Sequence, residues 1–190
     1  MKKTIAWILL AMMLFAAVGC QKQGRTATKE EIAMSTEGVR QVLVALERIF
    51  EGSRANTNSS TGETYQQRTE AIIYPEIHAV TDEGNGIYTV YTTATFEVVE
   101  IKNEERISVY GYGVYRLRMM MEKAVDGSYT LLDFAYADED SANYEEEMKI
   151  VCGGNVVVQE DFNTVNLEDS WTELEKLAET YVKNTAFTVE

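Results

Sequence analysis

The sequence contains few of the residues that bind metal ions or form disulfides. It contains a single histidine, His78, a single proline and two cysteines, Cys20 and Cys152, among 190 residues. One histidine excludes the multi-histidine zinc sites and leaves a Ser-His or Cys-His enzyme only one base to recruit. Two cysteines are too few for a fold held together by disulfides, so stability has to come from packing.

Positive charge is also scarce. The chain has 17 Lys and Arg against 31 Asp and Glu, which gives a formal net charge of −14 at pH 7. Such a surface repels nucleic-acid phosphates and anionic lipid headgroups. DNA and RNA are therefore not expected as partners, whereas neutral and cationic partners stay open.

The one long apolar run is short for a membrane span, which makes a permanent span the weaker interpretation. Lys2 and Lys3 precede 14 uncharged residues, 5–18. As a helix this run would reach about 21 Å at about 1.5 Å per residue, short of the roughly 30 Å hydrocarbon core. A positive start followed by a short apolar run predicts a secretory signal peptide.

The end of that run, Ala17-Val18-Gly19-Cys20, resembles the lipobox of bacterial lipoproteins. The resemblance implies that Cys20 receives a diacylglycerol, that the peptide is cut before it, and that the new amine is acylated. Residues 1–19 would then be a signal peptide, residues 20–28 a tether, and residues 29–190 a single α+β domain. Removing residues 1–19 leaves 171 of the 190 residues and takes the net charge from −14 to −16. The resemblance also implies, through Gln21 after the cysteine, sorting to the outer membrane where a cell has two membranes.

Two other interpretations of this segment stay open. One is an ordinary secretory signal cut near Ala17, and the other is an uncleaved anchor in which Cys20 is a buried bystander. If Cys20 is lipidated, Cys152 is the only remaining thiol and no internal disulfide can form. Its neighbours in the stretch IVCGG favour the role of a small buried hydrophobe.

A long amphipathic helix is predicted after the tether. Thr28 and Glu31 have the spacing of a capping box, and Gly52 marks the end of the helix. Between them, apolar residues recur at helical spacing. They are Ile32, Val39, Val42, Leu43, Leu46, Ile49 and Phe50.

The middle of the chain changes to the alternating pattern of β-strands, punctuated by turn signals such as Gly84-Asn85-Gly86 and Asp126-Gly127. Short connections between successive strands favour antiparallel pairing in a meander. The predicted strands are Ala71–Thr81, Ile87–Ile101, Arg106–Glu122 and Ser128–Tyr136.

The helix has a face to bury and the sheet has one to cover, which predicts a two-layer α+β domain with the long N-terminal helix packed on a curved antiparallel meander. This order of elements is similar to the cystatin-like and NTF2-like folds, with no motif in support. Beyond residue 136 the pattern predicts either a short helix capped by Ser141 or an acidic loop, then a strand at Val156–Val158. A C-terminal helix is expected to begin with a second capping box, Ser170 and Glu173.

One face of the third strand carries the residue types that are enriched in binding surfaces. Tyrosine and arginine alternate there, and a tyrosine of the neighbouring strand is expected opposite them. The same pattern is also compatible with ordinary packing beneath the C-terminal helix. The candidate ligand face consists of Tyr91, Tyr110, Tyr112, Arg116 and Arg118.

No catalytic, cofactor-binding or metal-binding residue is selected from the sequence. The acidic runs 138–140 and 145–147 are candidate calcium ligands, but a solvated acidic face explains them as well. His78 with Cys152 is the one nucleophile and base pair that the composition allows, and a structural role for each is favoured.

These observations predict a lipid-anchored, non-catalytic protein of the cell envelope that binds a peptide, glycan or protein partner. One alternative is a periplasmic or cell-surface hydrolase that uses carboxylates in a cleft between helix and sheet. The other is a structural or inhibitory lipoprotein. The membrane is expected as a partner only through the N-terminal lipid.

Overall fold

The computed structural model describes residues 26–51, 68–102 and 105–185. These residues form an α+β fold with four helices around a four-stranded antiparallel sheet. The helices are α1, Lys29–Glu51, α2, Tyr144–Cys152, α3, Val156–Asn163, and α4, Leu167–Thr185; the strands are β1, Arg68–Gly84, β2, Ile87–Lys102, β3, Glu105–Lys123, and β4, Tyr129–Asp138. The predicted signal peptide, the lipobox and Gly52 lie outside the described residues.

Helix α1 begins where the capping box predicts. The backbone N–H of Thr28 donates to Glu31 Oε2 at 2.8 Å, and the backbone N–H of Glu31 donates to Thr28 Oγ1 at 3.2 Å. This exchange satisfies two N–H groups that have no partner within the helix. Val39, Val42 and Leu43 are buried as predicted, but Ile32 is exposed.

The sheet is the predicted meander, with strand order β1-β2-β3-β4 and every neighbouring pair antiparallel. Gly84, Asn85 and Gly86 all have positive φ, and they form the tight turn between β1 and β2. Glycine and asparagine adopt such angles at little cost, which explains why the sequence signal was reliable here. A register shift between Ile77 and Ala79 leaves His78 in a bulge of β1.

The main hydrophobic core lies between α1 and one face of the sheet. The apolar side predicted for β2, and that of β3 from Tyr115 to Met121, is confirmed, because these residues meet α1 in space. The opposite side of β2, predicted to face outward, is buried instead. The core cluster consists of Met34, Val39, Val42, Leu43, Ile73, Val90, Ala94, Phe96, Leu117, Met119 and Met121.

The opposite face of the sheet, called here the covered face, is packed against the C-terminal helices. Helices α2 and α3 bury one apolar cluster with β4, centred on Ala137, Val151 and Phe162. Helix α4 buries a second cluster with β1 and β2, built on Ile72, Val99, Leu174 and Ala178. The domain therefore has three layers rather than the two predicted, because three helices, not one, follow the sheet.

Two predictions for the C-terminal part are wrong in detail. Val156–Val158 is the first turn of α3 and not a strand, since Asn155 caps this helix by accepting a hydrogen bond from the backbone N–H of Val158 at 3.3 Å. Ser170 lies inside α4 and does not cap it. Asn166 precedes that helix, and its Oδ1 accepts from the backbone N–H of Glu168 at 3.2 Å.

Candidate functional site

The structure separates the five residues of the predicted ligand face. Arg116, Arg118 and Tyr91 lie on the covered face beneath helices, and only Tyr112 is open to solvent, at 74% exposure. The side chain of Tyr110 lies outside the described residues. Most of the predicted face is thus packed, and its exposed part is Tyr112, in the interior of β3.

Arg116 is the most buried charged residue of this group. Its guanidinium is 6% exposed and lies over the ring of Tyr144 in α2, with Cζ 5.5 Å from the ring centroid. Its Nη1 is 3.3 Å from Oε2 of Glu139, which follows β4 and is itself partly exposed. Within the residues that the structure describes, neither Nε nor Nη1 has a hydrogen-bond partner. The charge of Arg116 is therefore balanced by the carboxylate of Glu139.

Tyr91 and Arg118 lie in register on neighbouring strands and serve packing. Tyr91 packs against the cluster formed by α2 and α3. Arg118 reaches the end of α2, where a Cβ on Gly153 would lie 3.2 Å from its Nη1. These two residues thus fill the space under the turn between α2 and α3.

Tyr112, which is exposed, and Trp171, which is half-buried, form an aromatic pair called here the aromatic corner. Their ring centroids are 5.9 Å apart in an edge-to-face arrangement, with an interplanar angle of 77°. Trp171 lies in the first turns of α4 and also packs against the cluster beneath that helix. Trp171 has the spacing of the apolar side of an amphipathic helix, and the sequence does not show that α4 brings it beside β3.

A row of polar residues crosses the covered face between the two apolar clusters, and we call it the polar seam. It consists of Glu76 and His78 on β1, Thr93, Thr95 and Glu97 on β2, and Arg116 on β3. On β2 the row begins after Tyr91, which packs under α2 and α3, and ends before Val99, which packs under α4. Thr93, Thr95, Glu97 and Arg116 are all buried.

Several members of the polar seam are held in place by hydrogen bonds. His78 Nε2 lies 2.9 Å from Thr93 Oγ1, and its ring meets Phe162 of α3 edge to face. Ser170 of α4 donates to Glu76 Oε2 at 3.4 Å. Burial raises the pKa of Glu76 above its ordinary value, an effect that the hydrogen bond from Ser170 opposes. Thr95 is fully buried, and its hydroxyl has no hydrogen-bond partner among the described residues.

The polar seam was missed by sequence reasoning. Thr93, Thr95 and Glu97 alternate with the apolar residues of β2, which predicted a solvent-facing side for them. The structure places them between two groups of helices instead. The available signal was the second amphipathic helix, whose apolar side needs a surface to cover.

The geometry at His78 and Cys152 favours structural roles. Cys152 is buried in the cluster of α2 and α3, and burial raises the pKa of its thiol. A raised pKa lowers the population of the nucleophilic thiolate. His78 is occupied by its contacts with Thr93 and Phe162.

The acidic runs hold the chain around the start of α2. Glu147 accepts hydrogen bonds from the backbone N–H of Asp138 at 3.1 Å and from the hydroxyl of Ser141 at 2.6 Å. Asp138 accepts from the backbone N–H of Asp140 at 3.0 Å. Within residues 26–51, 68–102 and 105–185, no group of three or more His, Cys, Asp and Glu side chains is arranged to hold a metal ion.

Two further findings concern the membrane and known proteins. In the part of the chain that the structure describes, no helix is long and apolar enough to cross a bilayer. Cys20, the predicted lipidation site, lies outside the described residues. No protein-family model, curated protein or solved structure matches the chain.

Proposed function

We propose that this chain is a lipid-anchored, non-catalytic protein of the cell envelope that binds a peptide, glycan or protein partner through the aromatic corner. The observation that carries the binding surface is the contact between the exposed Tyr112 and the half-buried Trp171. Tyrosine and tryptophan provide apolar area with a polar tip, and they are enriched among the residues that dominate binding energy. An aromatic side chain exposed at 74% on a strand is not needed for the core.

The anchor rests on the sequence. The apolar run of residues 5–18 ends at Cys20, and polar residues follow at once. Two or three acyl chains, each buried CH₂ contributing about 0.8 kcal/mol, hold a protein to a bilayer without a spanning helix. The chain would be held at the outer membrane in a cell with two membranes. The net charge of −16 for the mature chain leaves nucleic acid out of the set of partners.

The anchor is tested by replacing Cys20 with serine. The variant is expected to leave the membrane fraction or to keep an uncut leader, as judged by fractionation and by mass spectrometry of the N-terminus. If the variant stays equally firmly in the membrane fraction with its leader processed as before, the anchor proposal is wrong.

The binding surface is tested separately by site-specific photo-crosslinking in intact cells. A photoreactive phenylalanine analogue at position 112 is expected to give a discrete adduct, and the same analogue at Val125, fully exposed in the turn between β3 and β4, serves as the control. Replacing Trp171 with alanine should remove the adduct at position 112 by removing half of the surface. Equal adducts at both positions, or an adduct indifferent to Trp171, would overturn the assignment of this surface.

A further inference from the structure

Part of β3 has a neighbouring strand on one side only. This strand pairs with β2 along almost its whole length, but β4 pairs with it only from Tyr115 to Lys123. Among the residues that the structure describes, no strand lies against the other side of residues 105–114, which we call the open edge. An unpaired strand edge offers backbone N–H and C=O groups to which another strand can bond.

A hydrogen bond at the end of β3 shows which residues direct their backbone groups to the open edge. The N–H of Lys123 donates to the carbonyl oxygen of Gly86 at 2.8 Å, so it points to the side of β2. Backbone groups alternate along a strand, and the pairing with β2 is regular from Gly111 to Glu122. The odd-numbered residues of this stretch therefore point to β2, and the even-numbered residues point away from it. Tyr112 and Val114 thus direct both N–H and C=O to the open edge.

The end of β4 agrees with this alternation. Asp138 lies opposite Tyr115, an odd-numbered residue, and its N–H donates to Glu147 and not to β3. Val114 is the next residue of β3 and lies just past the last pair with β4. Its backbone groups are therefore not paired with β4.

The other outer edges of the sheet carry features that hinder the pairing of a further strand. On β1, Pro75 has no N–H to donate. On β4, the N–H groups of Leu131 and Asp138 donate to side chains of α1 and α2. Register shifts interrupt β3 before Gly111, but residues 111–114 are regular and contain neither proline nor charge. This short stretch lacks the features that usually keep an edge unpaired.

The aromatic corner adjoins the open edge at Tyr112. The backbone of this residue faces the edge, and its exposed ring meets Trp171. A strand added beside Tyr112 would place one of its own side chains next to that ring, at the spacing of a cross-strand pair. A polypeptide can therefore contact both surfaces at once, whereas a glycan has no alternating N–H and C=O groups to pair with the edge.

The charge near the open edge favours a cationic segment. Residues 138–147, which begin at the end of β4, contain six Asp and Glu and no Lys or Arg. Arg116 pairs with one of them, and Asp140, Glu145 and Glu146 are exposed. A second copy of this acidic chain would bring like charge towards these carboxylates, whereas lysine or arginine side chains would be attracted to them.

We infer that the open edge binds an extended cationic peptide segment as an additional strand, hydrogen-bonded to the backbone of Tyr112 and Val114 and in contact with the aromatic corner. Strand addition of this kind gains affinity from main-chain hydrogen bonds and specificity from alternate side chains. The inference rests on the proposed function, which it narrows to a polypeptide partner that carries lysine or arginine.

The inference is tested by amide hydrogen exchange, followed by NMR on the full-length protein in detergent. The probe is a short peptide of alternating lysine and valine. In the free protein, the N–H groups of Tyr112 and Val114 should exchange faster than those of Gly113 and Tyr115, which face β2. At about nine-tenths occupancy the peptide should slow exchange at Tyr112 and Val114 about tenfold, because only the unoccupied protein exchanges.

Two control peptides separate charge from backbone pairing. One has glutamate in place of lysine, and the other is the lysine peptide with every backbone nitrogen methylated. Neither should slow exchange at Tyr112 or Val114. No protection by the lysine peptide, or equal protection by either control, would overturn the inference. Protection that appears without peptide as the protein concentration rises would overturn it as well, because a second copy would then occupy the edge.

Tyr112→Pro and Tyr112→Val are a matched pair of variants. Both remove the ring, but only proline removes the N–H at the open edge, and neither removes a hydrogen bond to β2. The lysine peptide should protect the N–H of Val114 in Tyr112→Val, more weakly than in the unaltered protein, and not in Tyr112→Pro. Slow exchange at Gly113 in both variants shows that β3 still pairs with β2. Equal protection of Val114 in the two variants would show that the backbone of the edge is not used.

Photo-crosslinking at position 112 distinguishes a failure of this inference from a failure of the proposed function. An adduct in cells without protection of the two amides by the lysine peptide would refute the added strand and leave the aromatic corner as a binding surface. Absence of the adduct would refute the binding surface itself.

Discussion

The close contact between α1 and the sheet predicts an unusual response to a helix-favouring substitution. Gly38 lies in α1 directly above two methionines of β3. A Cβ at this position would be 2.6 Å from Met119 Sδ and 3.0 Å from Met121 Sδ. Both methionines are completely buried, so they cannot simply swing into solvent. Gly38→Ala therefore sets helix propensity against packing.

The two effects have comparable sizes. Replacing glycine with alanine within a helix stabilises by about 1 kcal/mol, whereas forcing an extra methyl group into a packed core costs about 1 to 3 kcal/mol. The flexible methionine side chain places the cost towards the middle of that range. We expect Gly38→Ala to lower the free energy of unfolding by about 1 kcal/mol, measured by urea denaturation with far-UV circular dichroism.

The control is the reverse change at an exposed position of the same helix. Ala45→Gly alters propensity without touching the core, and it should lower the free energy of unfolding by about 1 kcal/mol. If Gly38→Ala instead raises the free energy of unfolding by about 1 kcal/mol, helix propensity alone determines the effect at position 38. Met119 and Met121 would then not lie against this residue, and the seating of α1 on β3 described above would be wrong.

Three further predictions concern single side chains. Gln41→Leu removes the acceptor of the 2.9 Å hydrogen bond from the backbone N–H of Leu131 and should cost about 1 to 2 kcal/mol in urea denaturation; an unchanged free energy of unfolding would contradict this role. Burial raises the pKa of Glu76, so stability is lost as pH rises from the ordinary carboxyl pKa through the raised pKa of the folded protein, and Glu76→Gln should stabilise the protein at about pH 7 but not below about pH 4. A destabilised Gln variant at neutral pH would show that the carboxylate is needed. Cys152 is buried with a raised pKa and should react with iodoacetamide far more slowly in the folded chain than in urea, as followed by mass spectrometry; equal rates would show that α2 does not cover it.

The features that the sequence predicted correctly are those in which a local pattern coincides with a tertiary contact. The Thr28 and Glu31 capping box needs only residues three apart, and it forms as expected. The alternation along β2 and β3 places Val90, Leu117 and Met119 under α1. In each case, the side chains that alternate or recur are the ones that a single partner surface buries.

The predictions that were wrong concern residues whose structure depends on contacts with residues distant in sequence. Three consecutive valine residues, 156–158, favour a strand by local propensity, but Asn155 caps a helix there, and Val158 joins the cluster with Phe162. Ser170 has the spacing of a cap, yet it is 2% exposed and bonded to Glu76 on β1. Tertiary contacts determine the secondary structure at Val158 and the role of Ser170. The residues next to these positions in sequence do not indicate either contact.

The face of β3 shows why residue type alone did not separate binding from packing. Tyr91 and Arg118 are covered, Tyr112 is open, and Arg116 is covered without its hydrogen bonds complete. The exposure of these side chains differs because α2 and α4 pack on the sheet at two separate places and leave a polar row between them. Arg116 is held in this row by its ion pair with Glu139 and by the ring of Tyr144, both of which belong to the chain that follows β3. The alternation of tyrosine and arginine on one strand therefore does not distinguish binding from packing, because the residues that cover the strand lie further along the chain.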